Sequence, residues 1–156
     1  MTDDKFRTIG KRQPRYDGMD KITGVARYAA DVEIPGMLHA KVLRSPHAHA
    51  RVLNINTTKA NALPGVCHVA TRSDFEGMQP VYGWLIKDQP VLAIDKVRYV
   101  GDMIAAVAAE NEATAYRALD LIEVEYEPLQ AVPSIEASLA DDAPALFEEP
   151  QIGFVN

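Results

Sequence analysis

The stretch at residues 103–128, MIAAVAAENEATAYRALDLIEVEYEP, gives the clearest indication of the fold. It opens with an apolar run, Met103–Ala109, whose length and composition are typical of a buried strand. Asn111 then offers a side-chain cap to a helix predicted from Glu112 to about Leu121, and the helix dipole favours the negative charge of Glu112 in the first turn. A second strand follows at once, so strand, helix and strand occur within one short segment.

The second strand is the most regular in the chain. Apolar residues alternate with acids along it, Ile122, Val124 and Tyr126 against Glu123, Glu125 and Glu127. Because successive side chains of a strand point to opposite faces, the apolar face is predicted to pack inward and the acidic face to meet water. In the preceding helix, Tyr116, Leu119 and Ile122 lie three apart and predict the buried stripe.

Shorter elements are predicted on both sides of this segment. They are strands at 38–43, 51–55, 66–70, 91–93 and 96–100, short helices at 57–63 and 134–139, and a long loop at 71–89. The first two strands are predicted to form a hairpin or to cross each other. Helices and strands do not alternate regularly, which favours an α+β fold with a few short helices on a mixed or largely antiparallel sheet.

The predicted domain organisation is simple. Residues 1–24 are polar and are expected to form an extended arm, and residues 25–28 could start a short strand. Residues 25–150 are expected to form one domain, and residues 151–156 to begin a linker.

Composition excludes several classes of protein. The chain has 156 residues, of which 47% are hydrophobic and 24% charged, too apolar for a disordered chain. A single cysteine, Cys67, excludes a disulfide scaffold and any four-cysteine metal site. No apolar run is long enough for a membrane span, and the charged start MTDDKFRTIGKRQPR lacks the apolar core of a secretory signal. We therefore expect a cytoplasmic protein that binds no membrane.

Charge is distributed unevenly although the net charge is −6. Residues 1–60 hold eleven Lys and Arg against six Asp and Glu, whereas residues 110–156 hold eleven acids and one base. A basic first third could indicate nucleic-acid binding, but a nucleic-acid domain usually shows a clustered basic face, and the bases here are scattered. We therefore expect solvated surfaces and no nucleic-acid partner.

Few residues suggest chemistry of their own. His47 and His49 have the spacing of a metal pair on a strand, yet no third ligand lies near them in the sequence. Cys67 and His68 could suggest a thiolate–imidazole pair, but adjacent strand residues face opposite ways, which favours a buried or half-buried thiol. Neither a nucleophile elbow nor a glycine-rich phosphate loop is present. We therefore assign no catalytic, cofactor-binding or metal-ligating residue.

Several collinear segments resemble one family. They are Lys21–Gly24 (KITG), Tyr28, Asp31, Pro35–Leu38 (PGML), Leu43–Arg51 (LRSPHAHAR), Pro64–Val66 (PGV), Val97–Asp102 (VRYVGD), Ala105–Ala108 (AAVA) and Val124–Leu129 (VEYEPL). Together they are similar to the N-terminal a/b hammerhead domain of the xanthine dehydrogenase/aldehyde oxidase family, over residues 9–150. Asn56 and Thr57 stand where an acidic residue is common in that family.

The resemblance implies a parent oxidoreductase that hydroxylates an aromatic heterocycle or an aldehyde with oxygen from water. It implies a molybdenum–molybdopterin cofactor and a catalytic glutamate in domains that follow this one, with iron–sulfur clusters and FAD on partner subunits. No residue here matches a family catalytic position. The chain is thus expected to be a structural and docking domain of the large, molybdopterin-binding subunit, without cofactor or turnover of its own.

Two alternatives remain open at this stage. One is a free-standing module that binds a small molecule or a protein, and the other is a small hydrolase using His47, His49 or Cys67. Under the docking hypothesis, the chain contacts the downstream molybdopterin-binding domains and the iron–sulfur or flavin subunits, and in isolation it exposes apolar surface and self-associates. Polar turns and one loop are predicted to make the interdomain contacts: Arg44, Ser45, Pro46, His47, His49, Arg51, Trp84, Gly101 and Asp102.

Overall fold

The structure, a computed structural model, describes residues 7–78, 80–83 and 87–147. Its contacts divide the chain into two compact units, with the boundary between Met37 and Leu38. The sequence predicts the end of the arm at residue 24, so the first unit is longer than predicted.

The first unit contains little regular structure. A short helix, α1 (Gly18–Ile22), corrects the prediction of an extended arm, and Lys21 on it pairs with Asp17 at 2.6 Å. No strand forms at residues 25–28, where one could have started, and the next element is a 3-10 turn at Ala29–Asp31. None of residues 7–37 is buried. This unit therefore has no hydrophobic core within its described residues.

The second unit carries the sheets and the remaining helices of the described residues. Its strands are β1 (His39–Arg44), β2 (Ala50–Asn56), β3 (Val66–Ala70), β4 (Val81–Tyr82), β5 (Gln89–Pro90), β6 (Lys96–Val97), β7 (Met103–Ala109) and β8 (Glu123–Pro128). Its helices are α2 (Thr58–Asn61), α3 (Glu112–Leu119) and α4 (Ile135–Ser138), with a 3-10 turn at Arg72–Phe75. The described helices are all too short and too polar to cross a membrane.

The first sheet has the strand order β1-β7-β3, with β7 antiparallel to both neighbours. The side chains at the contact between α3 and β7 are mostly alanines, and because they are small the helix packs closely on the sheet. The Asn111 side chain caps α3 by accepting the Thr114 backbone N–H at 2.8 Å, as predicted. The buried members of this first core are Ala60, Val69, Ala105, Val107, Ala109, Ala115, Ala118 and Ile122.

The second sheet has the order β6-β2-β8, again antiparallel throughout. Its inward residues form a second core of Ala50, Val52, Ala93, Val97 and Ile104. Ile104 lies on β7 of the first sheet and is completely buried in this second core. Ile55 and Val124 pack against both cores, so the two cores are joined.

The structure agrees with most predicted elements and corrects several details. The α+β class and the antiparallel sheets are confirmed, as are the buried run at β7 and the alternation of β8. The first two predicted strands form no hairpin, because β1 and β2 belong to different sheets. Of the predicted stripe, Ile122 is buried and Leu119 packs against the first core, whereas Tyr116 is exposed and Ala115 and Ala118 are buried instead. Cys67, predicted to be buried or half-buried, is exposed. The predicted loop at 71–89 contains a 3-10 turn and the hairpin strands β4 and β5.

Replacement of Ile104 by alanine is expected to lower the free energy of unfolding by about 3 kcal/mol, because it leaves a cavity in the second core. Urea unfolding followed by circular dichroism measures the change. Ile9→Ala is the matched control, since Ile9 is 70% exposed and its truncation opens no cavity. A loss at Ile104 no larger than at Ile9 would contradict this account of the core.

Candidate domain-contact site

Two of the connections between the two sheets are short turns. The first, residues 44–49, leaves the first sheet at the end of β1 and enters the second at β2. The other, residues 98–102, leaves the second sheet after β6 and returns to the first at β7. We call these two turns together the crossover junction. The two turns contain seven of the nine residues predicted for domain contacts. Of the other two, Arg51 lies just beyond the first turn, on β2, and Trp84 lies elsewhere in the sequence.

Backbone hydrogen bonds hold the two turns of the crossover junction against each other. The Ser45 N–H donates to the Asp102 carbonyl at 2.8 Å, and the Gly101 N–H donates to the Ser45 carbonyl at 2.8 Å. The Arg44 guanidinium adds a third bond, from Nη1 to the Gly101 carbonyl at 2.8 Å. The spatial proximity of Arg44, Ser45, Gly101 and Asp102 is thus a finding of the structure, since the sequence separates the two pairs by more than fifty residues.

The Asp102 side chain fixes the second turn from inside. Asp102 is buried, and its Oδ2 accepts the Arg98 backbone N–H at 3.0 Å. Gly101 beside it has φ +93°, a conformation that L side chains rarely adopt, and no atom lies within 4 Å of the place a Cβ would occupy. The turn therefore depends on one buried carboxylate and on the backbone freedom of one glycine.

The two histidines of the first turn, His47 and His49, have separate hydrogen-bond partners. The His47 ring contacts the Tyr126 ring edge-on, with ring centroids 4.7 Å apart. The backbone N–H of His47 donates to Ser45 Oγ at 3.0 Å. Burial raises the pKa of Tyr126 above its ordinary value, and contact with the Ser45 hydroxyl partly offsets this. His49 is buried, with Nδ1 2.7 Å from the Gln130 carbonyl oxygen and with Nε2 lacking a hydrogen-bond partner in the described structure.

The other predicted contact residues lie apart from these bonds. Pro46 is exposed at the tip of the first turn, and Arg51 lies on β2, where Nε is 3.6 Å from Glu127 Oε2. Trp84 lies outside the described residues, so its predicted contact stays a prediction. Tyr82, its neighbour on β4, is about half exposed.

Sequence reasoning did not single out Arg98, which connects the second turn to the C-terminal segment. Its guanidinium donates to the carbonyls of Leu146 and Lys96 at 3.1 and 3.2 Å and lies 4.6 Å from the centre of the Phe147 ring. The contact to Leu146 and Phe147 spans too long a stretch of chain for local patterns to reveal. A cavity of about 250 Å³ lies beside it, bordered by Tyr99, Asp102, Phe147 and the β5 segment.

The described residues contain no cluster of three or more His, Cys, Asp or Glu side chains that could hold a metal ion. Cys67 and His68 do not pair, and His68 Nε2 instead lies 3.0 Å from Asp74 Oδ1. The Thr71 backbone N–H, and more weakly His68, hold the pKa of Asp74 below its ordinary value. This is the arrangement of a capped turn and not that of an activated nucleophile.

The sequence pattern of one family matches most of the chain. The family is described as aldehyde oxidase and xanthine dehydrogenase, a/b hammerhead domain, and residues 23–130 match it. The match contains both turns of the crossover junction and all eight described strands.

Individual relatives agree with this match. A probable xanthine dehydrogenase component of Bacillus subtilis (strain 168) is 48% identical over 138 residues, which are 88% of this chain and 18% of that protein. Reconstituted CO dehydrogenase from Oligotropha carboxidovorans superposes with a TM-score of 0.82 at 38% identity, covering 86% of this chain and 17% of the other. Quinoline 2-oxidoreductase from Pseudomonas putida 86 gives a TM-score of 0.75 at 40% identity, covering 84% and 17%. The chain thus spans less than a fifth of each of these proteins.

Gly101→Ala is expected to lower the free energy of unfolding by about 1–2 kcal/mol, because alanine at φ +93° is strained although space is available. Gly18→Ala is the matched control, since Gly18 lacks a positive φ and a Cβ there meets only an ordinary contact at 3.5 Å. Thermal unfolding of both variants measures the difference. Equal melting temperatures would show that the second turn does not require the glycine conformation.

Proposed function

This chain belongs to the aldehyde oxidase and xanthine dehydrogenase family, and from that membership we propose that it is the structural and docking domain of a molybdenum hydroxylase large subunit. The parent enzyme is cytoplasmic and hydroxylates an aromatic heterocycle or an aldehyde, with water as the source of oxygen. In this proposal the domain positions the molybdopterin-binding domains of its own subunit and contacts iron–sulfur and flavin subunits, and it performs no chemical step itself.

The crossover junction is the observation that carries the docking role. Three hydrogen bonds join the two turns into one surface. A neighbouring domain would therefore bind it without the entropic cost of ordering two separate loops. The surface is also partly apolar where it meets solvent, with Val100 65% and Tyr99 43% exposed. Exposed apolar side chains beside fixed polar groups are typical of protein contact surfaces.

The described residues do not fit a molybdenum–pterin group. They offer no three-ligand cluster, and the Arg98 donors beside the 250 Å³ cavity are already engaged by Leu146, Lys96 and Asp95. Asp102 in the same cavity wall accepts a backbone N–H. We assign no step of the reaction to these residues.

The proposal predicts that Tyr99 becomes shielded in the complete large subunit. Hydroxyl-radical footprinting of the 156-residue chain and of the complete subunit compares the accessibility of the same side chain in both. Tyr99 and His47 are expected to be labelled several-fold more slowly in the complete subunit, because an adjoining domain excludes water there. Tyr116 on α3 is the matched tyrosine control, since it is about half exposed and lies on the other sheet layer. Equal labelling of Tyr99 in both samples would refute the proposed contact surface.

The genomic sequence tests the second candidate, a free-standing binding module. We expect the reading frame to continue past the Asn156 codon into molybdopterin-binding domains, as the short coverage of each relative suggests. A stop codon directly after Asn156 would instead favour the free-standing module. Sequencing the locus decides between these two outcomes.

A further inference from the structure

The outer face of the second sheet has a cavity of about 480 Å³ outside the two turns of the crossover junction, although Arg51, which lines it, is among the residues predicted for domain contacts. This face lies opposite the second core, because Ala50, Val52 and Val97 point inward from the same strands. Three cationic residues line the cavity, Arg51, Arg72 and Lys96, against one acid, Asp95.

Strand register places two of these cations side by side. Lys96 on β6 and Arg51 on β2 are directly opposite partners in the antiparallel ladder, so their side chains emerge on the same face. Like charges in that position repel each other. Glu127, the opposite partner of Arg51 on β8, offsets only the Arg51 charge, with its carboxylate 3.6 Å from Nε.

Lys96 is the decisive residue. Only 8% of it is exposed, although lysine is almost never buried unless it is paired. Within the described residues the ammonium group has neither a hydrogen-bond acceptor nor a carboxylate partner. The ammonium nitrogen is nevertheless not among the fully buried, unpartnered polar atoms of the described residues, so the stem of Lys96 is enclosed while its charge reaches the solvent in the cavity, where it is available to pair with an anion.

The other charged groups of the lining leave Lys96 uncompensated. Arg72 donates to three backbone carbonyls, those of Val52 and Ile94 from Nη1 and that of Leu53 from Nη2, at 2.9, 2.6 and 3.3 Å. These neutral acceptors fix the guanidinium at the cavity without cancelling its charge. Asp95 is directed to Arg98, with Oδ1 3.3 Å from Nη2.

We propose that this cavity is an oxyanion-binding site that takes a phosphate group between Lys96, Arg51 and Arg72. A phosphate carries a charge of about −1.5 to −2 near neutral pH and several acceptor oxygens, which suits a lining with more cations than acids. Charge-assisted hydrogen bonds from lysine and arginine are the strong ones, and they relieve the repulsion between Lys96 and Arg51. The site does not depend on the docking function proposed above.

Titration of the 156-residue chain with inorganic phosphate at low ionic strength tests the site, with sodium chloride added to keep ionic strength constant. Amide NMR shifts are expected to saturate at residues 51–53 and 95–97. Glycerol 3-phosphate in a parallel titration distinguishes a phosphate ester from free phosphate as the preferred source. Acetate in a third titration is expected to bind more weakly, because it carries a single charge.

Lys96→Met keeps the length of the side chain and removes its charge. It is expected to raise the dissociation constant of phosphate at least about tenfold, equivalent to about 1.4 kcal/mol. It is also expected to raise the melting temperature in chloride buffer, because it removes the repulsion between Lys96 and Arg51 across the ladder, and to lose this advantage in saturating phosphate. Lys59→Met is the matched control, because Lys59 lies on α2, is exposed and pairs with Glu123 at the start of β8, away from the cavity.

Arg51→Gln gives an independent test at an exposed position, so the proposal remains testable even if Lys96→Met does not fold. It is expected to weaken phosphate binding while circular dichroism shows an unchanged fold. The proposal is overturned if phosphate gives no saturable shift, if Lys96→Met and Lys59→Met bind it equally, or if acetate binds as tightly as phosphate.

Discussion

The fold depends on the hydrogen bonds between the two crossover turns. The chain connects the two sheets several times, and two of these connections, residues 44–49 and 98–102, meet where Ser45 bonds to both Gly101 and Asp102. Without these bonds each sheet would keep the hydrogen bonds between its own strands, but the two sheets would be held together less firmly at the crossover junction. Ile104 shows the result, since it stands on a strand of one sheet and fills the core of the other. The packing of Ile104 into the second core therefore depends on where the second turn places the start of β7.

Local patterns in the sequence were sufficient for the elements but not for their partners. The apolar run at β7, the alternation at β8 and the Asn111 cap are each determined by residues a few positions apart, and each was predicted correctly. The assignment of β1 and β2 to different sheets depends on pairing with β7 and β8, far along the chain, and periodicity does not contain that information. Tertiary packing also selected the alanines of α3 over Tyr116, because only small side chains allow the helix to approach β7 closely.

The candidate site shows the same division. The segment around Arg44–Arg51 and the Gly101-Asp102 pair were predicted from the sequence as separate turns, and the structure shows that four of those residues form one hydrogen-bonded unit. The sequence did not predict correctly which individual polar residues are buried and which are exposed. Cys67, expected to be buried or half-buried, is exposed, whereas Lys96, a surface-type residue in a short strand, is only 8% exposed. Such outcomes depend on what packs over a strand and not on the strand's own pattern.

Strand order also has a consequence for how the chain acquires its structure during synthesis. His39 must pair with Ala109, and Asn56 must pair with Glu123, so each sheet joins strands made early to strands made much later. Pairing over such sequence distances is slow, because a long loop must close before any contact is gained. On the ribosome, β1 and β3 keep open edges until β7 emerges, and β2 keeps open edges until β6 and then β8 have been translated. The nascent chain thus passes through a prolonged stage with exposed strand edges, in which chaperone protection would matter more than the stability of the finished domain.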